Sequence, residues 1–98
     1  MNTKNVFKDL GLEDAEDLLV KSHLALHIRQ AMKLRKLTQT QTAQILGIDQ
    51  PKVSHIINGH LDGYSTERLM RFLKVLGCDI RMSISAPHSK ERGHVMVG

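Results

Sequence analysis

The stretch from Leu37 to Asn58, LTQTQTAQILGIDQPKVSHIIN, constrains this chain more than any other, because it holds two helix starts and two helix stops in close succession. Thr38 is a natural N-cap, and Gln41 three residues later completes the T-x-x-Q form of a capping box. Ala43, Ile45 and Leu46 give the first helix an inward side. Gly47 stops it, since glycine readily adopts the left-handed conformation that ends a helix. Ile48 turns an apolar side chain into the corner and Asp49 caps the next helix. Pro51 falls in that helix's first turn, where a missing N–H costs nothing. Val53, Ile56 and Ile57 face inward, leaving Gln50, Lys52, Ser54, His55 and Asn58 outward, and Asn58-Gly59 ends the unit. The pattern is a helix-turn-helix.

The same residues carry a family resemblance. A small residue at Ala43, the turn Gly47, Ile48 beside it, then Val53 and Ile56 have the spacing shared by Cro/CI-like (XRE-type) DNA-binding domains. In that reading Ala43 must be small because the second helix crosses close above it. Val53 and Ile56 fill the angle between the helices. The resemblance implies a mainly α, lambda-repressor-like bundle of about five helices.

A chain of 98 residues has room for one small domain, and its stability can lean on a partner subunit. Aromatic residues make up 3% with no Trp, so aliphatic side chains and Met must build the core. That scarcity also disfavours base-stacking platforms for single strands. A single cysteine, Cys78, excludes an internal disulfide and suits a reducing compartment. No long apolar run spans a bilayer and no signal-peptide core opens the chain, so a cytoplasmic protein without membrane contact is expected. The formal charge of +4 is unevenly spread. Residues 1–20 hold two basic against five acidic groups, a net of −3, and the remainder holds twelve against five, a net of +7. A body this basic suits a polyanionic partner.

Residues 1–13 read as an N-terminal extension whose Val6, Phe7, Leu10 and Leu12 would dock on the domain or on a partner. From about Asp14 to Lys36 nothing breaks a helix. Ala15, Leu18 and Leu19, then Leu24, Ile28, Ala31 and Met32, have roughly helical spacing. The drift between the two sets leaves one kinked helix or two helices open. Arg29, Lys33, Arg35 and Lys36 cluster at the C-terminal half, suited to the helix dipole and to a nearby phosphate backbone. His23 and His27 have an i, i+4 spacing that can bind zinc, but no further ligand stands at a matching offset, so no metal and no cofactor is expected. A connecting loop, HLDGYS, leads to a helix from about Thr66 to Leu76, capped by Ser65. There Leu69, Phe72, Leu73 and Leu76 form a core stripe, and Gly77 ends it. Residues 14–77 thus make up the DNA-binding domain.

The period then changes. In CDIRMSIS, Cys78, Ile80, Met82 and Ile84 alternate with polar residues, which predicts a strand over residues 78–86. A single strand leaves its backbone groups unpaired, so it would pair with its copy in a homodimer or join the sheet of another protein. Residues 87–98 read as a flexible tail.

A helix in the major groove presents its N-terminal residues to base edges. Gln50, Lys52, Ser54 and His55 are the side chains available: Gln can bridge adenine N6 and N7, and Lys can donate to guanine O6 and N7. By resemblance to phage-type repressors, Gln50 and His55 take base-reading positions and Thr38 and Gln39 resemble a phosphate clamp. Asn58 resembles a backbone contact, and Lys36 would join that set. Pro51 departs from the family, removing a polar side chain.

Over residues 5–85 the chain is similar to the HigA-like antitoxin group, through NVFKDLGLEDAEDLL and the long run from Leu37 to Ile80. The resemblance implies a dimeric repressor of a palindromic operator that also neutralises a RelE/ParE-like toxin. Two alternatives stand beside it, a regulator without a toxin and an interaction module without DNA binding. No Walker loop, nucleophile elbow or HExxH motif is present, so an enzyme is not expected.

Overall fold

The computed structural model describes residues 12–98, in which four helices follow one another: α1 (Leu12–Leu34), α2 (Gln39–Leu46), α3 (Gln50–Ile57) and α4 (Thr66–Val75). The expected docking residues Val6, Phe7 and Leu10 lie outside the described residues.

The expectation of about five helices is corrected to four among the described residues. The drift in apolar positions along the first segment does not divide it, because no Pro or Gly interrupts the backbone ladder and α1 runs unbroken for 23 residues. A helix of that length spans roughly 35 Å, more than a small domain can cover. Leu24, Ala25, Ile28, Ala31 and Met32 are therefore buried in the core, while Leu18 is half-buried and Leu19 exposed.

The core is one cluster. α1 packs chiefly on α4, whose Leu69, Phe72 and Leu73 are buried, and Val53 and Ile56 of α3 join from the other side. Leu61 and Tyr64 of the α3–α4 loop complete it. Arg68 lies over this edge, its guanidinium carbon 5.4 Å from the centroids of both Tyr64 and Phe72. Two long-range hydrogen bonds join these regions: Thr66 Oγ1 of α4 donates to Asp17 Oδ1 of α1 (3.2 Å), and Arg35 Nη1, just past α1, donates to the carbonyl of Leu76, just past α4 (3.3 Å).

All four helices end in the same closure. After α1, the N–H of Leu37 reaches back to Met32 O (2.9 Å); after α2, Ile48 to Ala43 O (3.1 Å); after α3, His60 to His55 O (2.8 Å); after α4, Cys78 to Leu73 O (2.9 Å). These are the six-to-one bonds of a Schellman ending, which needs a left-handed residue just before the donor. Those residues are Lys36, Gly47, Gly59 and Gly77.

The expected strand does not form. No strand is present among the described residues, and 78–88 run without regular secondary structure. The alternation is physically used only at its start, where Cys78 and Ile80 pack half-buried against the core. Met82 and Ile84 are 70% and 93% exposed. Period-two alternation describes an extended chain, but a strand needs a hydrogen-bonded neighbour, and among the described residues none pairs with this segment as a strand. Among the described residues the fold is therefore all-helical, and Ile80, Met82 and Ile84 do not form the expected strand. The end of the chain instead folds back on α1, where His94 Nδ1 stands 3.0 Å from Glu16 Oε1. Val95 and Met96 line an apolar groove of about 730 Å³ with Val20, Leu24, Met70 and Ile80.

Candidate nucleic-acid interface

The N-termini of α2 and α3 are built by their caps. Thr38, in extended conformation, accepts from the N–H of Gln41 (3.0 Å) and its own N–H donates to Gln41 Oε1 (2.9 Å), closing a full capping box. Asp49 Oδ1 accepts from the N–H of Lys52 (3.1 Å), and Pro51 occupies the first turn of α3. Between the caps Gly47 takes φ 72°, a value that a residue with a Cβ reaches only with strain. Ile48 fills the corner half-buried.

Beneath this surface, Ala43 is buried under α3, with Val53 and Ile56 each 1% exposed. Thr42 is fully buried beside it, and its Oγ1 donates to Thr38 O (2.8 Å). Burying a hydroxyl is tolerable only with such a partner. Ile45, by contrast, is exposed rather than inward.

The outer face gathers the side chains expected to read bases. Gln50, Lys52 and His55 are exposed on α3. Gln50 Nε2 donates to Gln39 Oε1, joining the first residue of α3 to the first residue of α2. Ser54 is half-buried, and its carbonyl and Oγ both accept from Asn58 Nδ2 (2.9 and 3.3 Å). Asn58 thus closes the end of α3 with its amide, so Ser54 and Asn58 face each other rather than standing as separate contacts. The His55 ring meets that of His60 edge-on, 6.0 Å between centroids. Thr38 and Lys36 are exposed at the approach to α2.

Sequence reasoning missed three of these features. The Gln39–Gln50 bond had a signal, since each glutamine directly follows an N-cap. Thr42 and the Arg35–Leu76 bond had none: the first depends on how deep α2 sits, and the second joins residues 41 apart. Arg35, read as part of a phosphate-facing cluster, instead binds the end of α4. His23 and His27 lie edge to face, 4.6 Å between centroids. No group of three or more His, Cys, Asp or Glu among the described residues is arranged around a metal position. No helix among them is long and apolar enough to cross a membrane.

This geometry can hold a double helix. Two capped helix ends and a polar, cation-bearing face rest on a rigid apolar layer, as in the docking of a helix into a major groove. Comparisons with known proteins agree. A family model described as a helix-turn-helix domain matches residues 6–85. A solved chain that bears the provisional name of an XRE family transcriptional regulator is 38% identical, with a TM-score of 0.75. The match covers 86% of this chain and 96% of that one. No curated protein matches.

Proposed function

The chain belongs to the helix-turn-helix domain family and is a DNA-binding transcriptional regulator of the XRE type, and on that premise we propose that it is a sequence-specific repressor. The observation that carries the proposal is the bond from Gln50 to Gln39. A primary amide has two donors and one acceptor oxygen. With one N–H spent on Gln39, Gln50 keeps its other N–H and its carbonyl in a fixed orientation, the pair that adenine N7 and N6 require. Lys52 and His55 would read the neighbouring bases, while Thr38, Gln39 and Lys36 would contact phosphates. One eight-residue reading helix covers few base pairs, so specificity calls for two copies on a palindrome, about one helical turn apart. A titration of the DNA upstream of the protein's own gene against a scrambled duplex tests this. Equal affinity for the two duplexes at every salt concentration would sink sequence-specific repression. Affinity that ignores salt would favour an interaction module instead.

The repressor is further proposed to be the antitoxin of a toxin–antitoxin pair, supported by its likeness to the HigA-like layout and by the acidic residues 1–20. A toxin that grips RNA is expected to be basic, which suits that acidic segment. Two of its acids are already engaged, Glu16 with His94 and Asp17 with Lys21 (3.1 Å) and Thr66. The contact would therefore fall on residues 1–14. Deleting residues 1–12 should weaken toxin capture and spare the helical fold. Loss of fold without selective loss of capture would refute the contact, and a gene neighbourhood with no small basic partner would favour a stand-alone regulator.

A further inference from the structure

Three of the four left-handed corners that close helices hold glycine, and the fourth, which closes α1, holds Lys36 at φ 55°. Glycine meets that conformation freely, whereas a residue with a Cβ is disfavoured there. Backbone needs do not explain the lysine. The closure is made by main-chain groups alone, Lys36 N–H to Lys33 O (3.1 Å) and Leu37 N–H to Met32 O (2.9 Å). Gly77 makes the same pair of bonds with no side chain. Nor does an ion pair among the described residues explain it, because the exposed Lys36 ammonium makes none there. Its neighbour Arg35 is turned toward Leu76.

The position explains more. Leu37, anchored half-buried in the core, separates Lys36 from Thr38. Gln39 follows, and it is bonded to the head of the reading helix. We infer that Lys36 is a fixed phosphate anchor: the rigid corner sets where its charge projects, and that charge pairs with a backbone phosphate beside the bases facing α3. The inference rests on the DNA-binding reading above and adds that the lysine's cost to the fold is offset only on DNA.

Lys36→Gly and Lys36→Arg test it, titrated beside the wild type with a mixed-sequence duplex over a range of salt concentrations. Lys36→Gly should melt at or above the wild-type temperature, because it relieves the corner. Its affinity should fall roughly threefold, and the slope of log K against log salt should shrink by about 0.9, the release associated with one phosphate. Lys36→Arg should keep the wild-type slope. An unchanged slope in Lys36→Gly, or a melting temperature below the wild type, would overturn the anchor. A wild type without salt-dependent duplex binding would refute the DNA-binding reading itself, which separates the two failures.

Discussion

The side-chain carbonyl of Gln39 accepts a hydrogen bond from the side-chain amide of Gln50, so the first residues of two successive helices hold each other across the turn. Each glutamine has a cap directly before it, Thr38 or Asp49, and neither could swing far without breaking the pair. The base-reading helix is thus tied to the helix that approaches the phosphates. Removing either glutamine should affect both.

Gln50→Ala should weaken operator binding by about 1–3 kcal/mol and leave binding to a scrambled duplex nearly unchanged. Gln39→Ala should also cost operator affinity, and the double variant should lose less than the sum of the two. A double-mutant cycle by titration measures this. Strict additivity would mean that the bond does not orient Gln50.

Gly47→Ala should destabilise the domain by about 1–2 kcal/mol through backbone conformation alone. Space is not the obstacle, since an added Cβ would meet nothing within 4 Å. For a domain of this size, each kcal/mol lowers the melting temperature by about 4–8 °C. A thermal melt with no change would mean that the corner relaxes to another conformation.

Thr42→Val should cost no more than about 1.5 kcal/mol, the net worth of one hydrogen bond. The carbonyl it abandons, Thr38 O, still accepts from the Thr42 N–H at 2.9 Å. Leu69→Ala, at a side chain of α4 wholly buried in the core, should cost about 2–5 kcal/mol. Denaturant midpoints for the two variants check that order.

The tail contact should be visible in acid. The hydrogen bond from His94 holds the Glu16 carboxyl below its ordinary 4.5, with a smaller lowering from the Val95 N–H, while burial pushes the other way. A carboxyl whose value is depressed by folding contributes stability that is present above pH 4.5 and is lost as the pH falls through its folded value. An NMR titration should find Glu16 ionising below 4.5, and His94→Ala should move it back toward that value. No movement would mean that residues 94 and 95 do not rest on α1.

The residues that announced the helix-turn-helix were those whose preferences are local. Thr38, Gln41, Gly47, Asp49 and Pro51 each act within a few positions of themselves, so their roles could be read without knowing the fold. The stripe Leu69, Phe72, Leu73 and Leu76 was legible for the same reason, and all four are buried. The segment from Cys78 to Ser85 misled because alternation records only which side chains could face one way. A strand also needs a neighbour, which a single segment does not encode. The Arg35–Leu76 bond and the return of His94 to Glu16 join residues that share no local pattern. At the interface, the exposed face of α3 was legible, but the pairing of Ser54 with Asn58 was not, since it depends on how the helix ends.

The repeated corner also bears on how quickly this chain finds its shape. Each reversal of direction is closed by a bond between residues five apart, at Met32, Ala43, His55 and Leu73, so the path of the backbone is decided within short windows. Beyond these corners, distant segments meet where α3 and α4 seat on α1, where α4 meets α2, and where His94 returns to Glu16. Chains rich in such near-neighbour contacts fold in microseconds to milliseconds. Refolding should then finish within the dead time of a mixing experiment and need a temperature jump to resolve. Such a regulator would regain its DNA-reading shape almost at once after thermal or mechanical disruption.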